Sequence, residues 1–406
     1  MKSMRPWIMM LFACLMLVVS NGMILSGLSA FDKALIGEFG WSRGTLKARD
    51  LITLLATGLA APFMGMVIDR IGVRRLILVG SITLAGAYAL YSQITSPLHA
   101  YLIHLLFAVV LIGCGLNVAV ILVSNWFEAK RGTALGIAIA GTSFGGMIFP
   151  PLITSLVASG GWRGAFMTLA AVPIVLLVVA VVIVKSRPSD VGERAYGATG
   201  AAPRVAGTVP ELPGMTFAEA KSTPTFWLLC FIASMTFYAM MSAMAHLFLH
   251  MMDLGFKPPE AAKSLSIMFG LALVGKLVFG FLADVLDQKK VFLTNMAVML
   301  AGALALTTLN KDFIWTAVAL FGLGWGGMYT MLQLQAINAF GLKAAGKILG
   351  VLVMVEAIGG GVGIFLTGAL FDAFKSYQVP FIIISVVLFL SLLAGTRVKR
   401  AEELNA

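Results

Sequence analysis

The few ionisable residues inside the apolar stretches of this chain are where its chemistry is expected. Lys276 stands in Gly275-Lys276-Leu277-Val278-Phe279-Gly280, eight residues before Asp284. At ~1.5 Å per helical residue that is about 12 Å from a helix end. An ammonium so deep in hydrocarbon costs at least ~2.5–3.5 kcal/mol unless it meets water or a counter-charge. Glu356 follows Lys347 by nine residues, which puts it about 14 Å deep. An ammonium suits the binding of an anion, and a buried carboxyl suits the taking of a proton. His246 and His250, four apart, share a helix face. His246 is the deeper and is a candidate to donate to a substrate or relay a proton; His250 is expected at the interface. Asn21, Asn117, Tyr329 and Gln333 are mid-span polar groups that must face a cavity or another helix. For each, interhelical packing is as good a reading as substrate contact. Asp50, beside Lys47 and Arg49, reads as a solvated rim, and His99 and His104 as structural. There is no glycine-rich phosphate loop with Lys and Ser or Thr, no metal-spaced Cys or His and no Ser–His–Asp arrangement. Neither an enzyme nor an ATP-driven pump is expected, and no cofactor or metal.

Composition sets the solvent. Hydrophobic residues make up 60% of the chain and charged ones 12%, with a mean hydropathy of +0.97, where soluble domains average roughly 25% charged. The chain therefore reads as an all-α membrane protein. A run of about 20 apolar residues crosses a ~30 Å hydrocarbon core as a helix that satisfies its own backbone. Twelve such spans are expected, near 8–30, 48–68, 76–95, 99–126, 132–158 and 163–184, then 224–252, 261–283, 291–309, 313–337, 347–371 and 378–396. The first is too long for a secretory signal core. The segment 186–222, with Pro188, Pro203, Pro210 and Pro213, reads as a linker with one surface helix near Phe217–Lys221. It separates an N-terminal bundle (1–185) from a C-terminal one (223–406). Cys14, Cys114 and Cys230 are scattered through apolar runs and read as buried packing residues.

The halves are related. The turn Gly65-Met66-Val67-Ile68-Asp69-Arg70-Ile71-Gly72-Val73-Arg74-Arg75 returns 215 residues later around Gly280, Asp284 and Lys289-Lys290. The same offset pairs Glu38 with Asp253, Gly40 with Gly255 and Trp41 with Phe256. At an offset of 214, Gly136, Gly145 and Gly146 match Gly350, Gly359 and Gly360. Such repetition marks two pseudo-symmetric six-helix bundles. The net charge of +11 is a loop effect rather than a nucleic-acid signature: 19 Lys and Arg fall on the side of the N-terminus, the linker and the C-tail, and 9 on the other. The positive-inside rule puts the first side in the cytoplasm, in a cell membrane and most simply a bacterial inner membrane.

Two six-helix bundles, a central linker and the Gly65–Arg75 turn together resemble the major facilitator superfamily. Within it, the run from Trp126-Phe127-Glu128-Ala129-Lys130-Arg131-Gly132 to Gly141 resembles the helix 4–5 signature of the monocarboxylate porters, with Trp126 where that family usually has Tyr. Its other signature is reduced to Arg5-Pro6-Trp7. Bacterial oxalate–formate exchangers are close relatives. The resemblance implies that Lys276 takes the place of the porters' carboxylate-binding Arg, as a point charge without the bidentate fork. It implies that the eighth and eleventh spans are neighbours, so that Lys276 and Glu356 are expected to pair until a carboxylate displaces Glu356, which then takes a proton. Asn117, His246, Tyr329 and Asn21 are further candidate substrate contacts. Asp69, Arg70 and Arg74 are the expected cytoplasmic latch. The implied function is proton-coupled movement of a small organic monocarboxylate such as lactate or pyruvate, by alternating access. The alternatives are an anion exchanger or exporter of larger organic acids or drugs, and a carboxylate-binding membrane sensor. The expected partners are a carboxylate, a proton and the lipid bilayer, with no nucleic acid.

Overall fold

A computed structural model describes residues 4–198, 214–341 and 343–399, apart from the side chains at positions 65 and 69. Among these residues the regular structure is helical, with two isolated β-bridges. The twelve expected spans are all helical, several of them interrupted or bent. The second is broken: α3 (Arg43–Ala60) passes through a 3-10 turn at Ala61–Phe63 into α4 (Met64–Ile71), where Pro62 removes a backbone donor. The fifth and sixth run on as α8 (Arg131–Leu169) and α9 (Ala171–Ile183), bent at Gly161, whose φ of 68° suits a residue without Cβ.

The chain forms two compact units, each with segments from both halves of the sequence. The first comprises residues 1–41, 63–202 and 258–266, the second 42–62, 203–257 and 267–406. Helix α3 thus belongs to the second unit although its flanks belong to the first. The repeat-equivalent start of α12 (Pro258–Val285) belongs to the first unit, where Ser266 Oγ donates to the Met147 carbonyl at 2.7 Å.

In the first unit α1 (Arg5–Asn21) packs on α8, and α5 (Val73–Tyr91) on α6 (Pro97–Cys114). The span of α1 continues through a π turn (Gly22–Ser26) and a 3-10 turn (Gly27–Phe31) into α2 (Asp32–Phe39). The span of α6 breaks at Gly115 and resumes as α7 (Leu116–Trp126). In the second unit, after α10 (Phe217–Ser222), the same pairs recur: α11 (Pro224–Asp253) on α15 (Ala345–Phe374), and α13 (Gln288–Leu306) on α14 (Ile314–Phe340), with α16 (Gln378–Thr396) completing it. Repeated glycines set the approach of α1 to α8 and of α11 to α15. A Cβ at Gly145 would lie 2.5 Å from the Val18 carbonyl oxygen, and one at Gly359 would lie 2.6 Å from Ser234 Oγ. Gly136 and Gly350, equally repeated, face open space.

The linker is held to each unit at equivalent places. The Tyr196 N–H donates to the Trp126 carbonyl at 2.8 Å, and Phe127 bridges Tyr196. In the second unit the Met215 N–H donates to the Phe340 carbonyl at 2.8 Å, and Gly214 bridges Gly341, the repeat equivalent of Phe127. The expected surface helix is α10, closed by a capping box between Thr216 and Glu219. The backbone N–H and hydroxyl of Thr216 hold the Glu219 carboxyl below its usual range.

Candidate functional site

Lys276 is half-buried on α12, and its ammonium lies 5.8 Å from the centre of the Tyr329 ring on α14. That is cation–π range, where the negative face of the ring draws a cation. The neighbouring Gly275 makes the approach possible, for a Cβ there would run into the backbone of Leu323 on α14. Tyr329 also meets Phe237 of α11, ring centres 6.1 Å apart. Glu356 is buried on α15. The expected Lys276–Glu356 pair is absent here: Glu356 forms no ion pair with any described residue. Equal depth on two helices does not by itself bring side chains together, because rotation about each helix axis also sets which way they point.

The histidines differ from expectation. His246 is fully buried, with Nδ1 3.0 Å from Tyr377 Oη and Nε2 2.9 Å from the Ile364 carbonyl. A carbonyl only accepts, so Nε2 carries the hydrogen and Nδ1 of a neutral ring accepts from Tyr377. Both nitrogens are engaged within the protein, which leaves neither for a substrate in this conformation. His250 is 2% exposed, packed edge-on to Tyr377 and Phe381. Lys47 and Arg49 are not a solvated rim: they are 1% and 0% exposed, beside Asp50 at 3.7 and 3.6 Å. The first turns of α3 are enclosed by the second unit, which the local sequence does not reveal. Of the cysteines, Cys114 and Cys230 are buried and Cys14 is half-buried. His104 is buried among Tyr91 and Phe107, as a structural residue.

In the first unit Asn21 ends α1 immediately before the π turn, with Nδ2 3.3 Å from Ser20 Oγ. Asn117 stands two residues after the break at Gly115 and is exposed. Irregular backbone at membrane depth is tolerated only where protein or a watered cavity meets it, and π turns gather at functional sites. The break in the α6–α7 span is partly repaired: Ser20 Oγ donates to the Cys114 carbonyl at 2.8 Å. Gln333 is half-buried on α14.

Of the expected latch, the Asp69 side chain lies outside the described residues. Arg70 is exposed. Arg74 binds the end of α9 in its own unit, Nη2 donating to the Val181 carbonyl at 2.7 Å. The helix 4–5 signature also has an anchoring part. Trp126 Nε1 donates to the Lys185 carbonyl at 2.9 Å, and Arg131 Nε donates to the Phe127 carbonyl at 2.8 Å. Trp7, the remnant of the other signature, lies edge-on to Phe127 and Tyr196. Sequence reasoning kept the two signatures apart; in the fold they form one aromatic cluster that holds the linker.

Arg43, Asp372 and Tyr377 carried no signal of their own in the sequence, and Asp253 only that of the repeat. Arg43 is salt-bridged to Asp253 at 2.7 Å and lies 3.6 Å from the centre of the Phe371 ring. The pairing of Glu38 with Asp253 across the repeat was the available signal.

Among the described residues, the long apolar helices are those of a multi-pass membrane protein by length and composition. The sequence profile of the Major Facilitator Superfamily matches residues 8–364. The chain belongs to that superfamily. It is 27% identical over 338 residues to MFS-type transporter 1 of Ophiocordyceps sp. (strain BCC 1869), covering 80% of this chain and 70% of the relative. It is 27% identical over 348 residues to monocarboxylate transporter 13 of Rattus norvegicus, covering 83% and 75%. A bacterial homologue of the human lysosomal transporter Spinster has the same fold, with a TM-score of 0.73 at 16% identity over 98% of this chain and 96% of that one. The protein is thus a multi-pass membrane transporter of small molecules.

Proposed function

We propose that this transporter carries small organic monocarboxylates of the lactate and pyruvate type together with a proton, by alternating access. The observation that carries the reading is Lys276: a cation within an apolar span, set against the face of Tyr329, with the buried acid Glu356 in the same unit. A carboxylate supplies the counter-charge that Lys276 needs in hydrocarbon. Tyr329 orders the ammonium and closes one side of the site. Glu356 takes the proton, so that an anion and a proton cross together and little net charge moves. The likeness to a monocarboxylate transporter agrees with this cargo. Asn21 and Asn117, at the two helix irregularities of the first unit, remain candidate amide contacts in their own right. His246, whose nitrogens are both occupied, is assigned a supporting place instead. Asp69, Arg70 and Arg74 are proposed to govern the cytoplasmic side, in the orientation that the loop charges favour.

Uptake of labelled lactate into proteoliposomes under an inward pH gradient tests the reading. Lys276→Ala removes a charge-assisted contact worth ~1.5–3 kcal/mol and is expected to weaken uptake by about 10- to 150-fold. Glu356→Gln is expected to abolish the pH-driven component and to spare exchange of internal for external lactate. Uptake that survives Lys276→Ala unchanged would overturn the carboxylate assignment, and unchanged proton coupling in Glu356→Gln would remove Glu356 from the mechanism.

A further inference from the structure

Five polar side chains follow one another at four-residue intervals on α11: Ser234, Tyr238, Ser242, His246 and His250. Residues four apart on a helix are neighbours, so they form one stripe that winds along it. The structure sets this stripe against α15. A Cβ on Gly359 would lie 2.6 Å from Ser234 Oγ, and one on Gly363 would lie 2.6 Å from Ser242 Oγ. His246 Nε2 donates to the carbonyl of the next residue, Ile364, at 2.9 Å. One end of the stripe meets Tyr377. His246 Nδ1 lies 3.0 Å from Tyr377 Oη, and the ring centres of His250 and Tyr377 are 5.3 Å apart. Tyr377 opens α16 beside exposed Gln378, with the Arg43 guanidinium 5.0 Å from its ring centre. The other end meets the turn of Glu356, which precedes Gly359 by three residues on α15.

The stripe is buried beyond Ser234, and it is incompletely bonded. Among the described residues, the hydroxyls of Tyr238, Ser242 and Thr367 and Nε2 of His250 have no hydrogen-bond partner. Thr367 stands one turn beyond Gly363 on α15. A buried polar group without a partner costs stability, and an apolar side chain of similar shape does not. The first half shows that the fold manages without them. At an offset of 214 the places of Tyr238, Ser242, His250 and Thr367 hold Ile24, Leu28, Ile36 and Ile153. Ser234 keeps a counterpart in Ser20, and Asp32 stands at the place of His246. The place of Glu356 holds Thr142. The buried acid and the unpaired hydroxyls therefore belong to the same half, and packing alone accounts for neither.

We propose that this stripe carries protons along the seam of α11 and α15, between Tyr377 and Glu356. Four residues rise ~6 Å along a helix, the span of two hydrogen bonds of ~2.8 Å through one water. Tyr377 gives its hydroxyl hydrogen to His246 Nδ1 as it takes another from the side of Gln378. The imidazole then turns its Nε2–H from the Ile364 carbonyl to Ser242, which meets the adjoining residue of α15. Ser242, Tyr238 and Ser234 each accept a proton on a lone pair and pass on their own. The Glu356 carboxylate keeps the last. One proton enters, one is bound, and every relay group ends as it began. The choice of Glu356 as terminus rests on the proposed function.

Time-resolved infrared spectroscopy of full-length protein in nanodiscs, after flash release of protons from a caged acid, tests the path. The signal is the carbonyl band of the protonated carboxyl that is lost in Glu356→Gln. Tyr238→Phe and Ser242→Ala should each slow its rise about tenfold, ~1.4 kcal/mol on the barrier. Their melting temperatures should hold, since neither hydroxyl has a partner to lose among the described residues. Thr236→Ala should keep the parent rate, because that hydroxyl is bound to the Ile232 carbonyl of its own helix at 2.6 Å. An unchanged rate in both Tyr238→Phe and Ser242→Ala, or equal slowing in Thr236→Ala, would overturn the path and leave the carboxylate reading intact. A parent protein without the band would overturn the path and the part of Glu356 in proton coupling together. Slowing in the two variants of a protein that takes up no lactate would support the path and sink the cargo.

Discussion

Adding one methyl group at each of four glycines tests the packing of both units. Gly136 and Gly145 lie on α8, Gly350 and Gly359 on α15, and the sequence repeats both pairs. Alanine at any of them gains helix propensity of ~0.8–1.0 kcal/mol. At Gly136 and Gly350 nothing lies within 4 Å of the new Cβ, so that gain should stand. At Gly145 the Cβ would sit 2.5 Å from the Val18 carbonyl oxygen and 2.9 Å from Gly22 Cα, where ordinary contact begins at 3.4 Å. Helices α1 and α8 would have to part by about an ångström, an overpacking cost of ~1–3 kcal/mol. Gly359 meets Ser234 in the same way. Propensity cancels when two alanines on one helix are compared. Gly145→Ala should therefore be less stable than Gly136→Ala by ~1–3 kcal/mol, and Gly359→Ala less stable than Gly350→Ala by a similar amount. Denaturant unfolding in detergent, followed by tryptophan fluorescence, reads each difference. A difference below ~0.5 kcal/mol, or of opposite sign, would refute the tight crossings, because backbone atoms cannot rotate out of the way as a side chain can.

Three further outcomes are expected. Tyr329→Phe should keep acid-dependent thermal stabilisation, whereas Tyr329→Leu should weaken acid binding by about 2- to 30-fold, the loss of a cation–π contact of ~0.5–2 kcal/mol; equal effects would show that the ring face is not used. Trp126→Phe leaves the Lys185 carbonyl without its indole donor and should cost ~1–3 kcal/mol, seen as faster proteolysis of the linker; an unchanged rate would count against the anchor. The folded-state pKa of Glu219 is depressed, so its stabilisation of α10 is full above the ordinary carboxylate range and is lost as pH falls through the lower, folded value. Trp227, whose Nε1 donates to the Lys221 carbonyl at 3.0 Å, should report the loss by fluorescence, and Glu219→Gln should remove the pH dependence.

The sequence by itself determined the solvent, the twelve spans and the duplication, because hydropathy over about 20 residues and a fixed offset are local, additive signals. It also singled out Lys276 and Glu356, since a charge in an apolar run stands out whatever surrounds it. Tertiary structure decided who meets whom. Lys276 faces Tyr329 rather than Glu356, both nitrogens of His246 are taken by Tyr377 and Ile364, and Lys47 and Arg49 are enclosed. A sequence gives depth along each helix, but partners depend on rotation about the helix axis and on which helix lies alongside. Arg43 shows the limit most plainly. Near its helix end it looks like any loop cation, and only the packing of α3 in the second unit places it on Asp253 and beside Asp372.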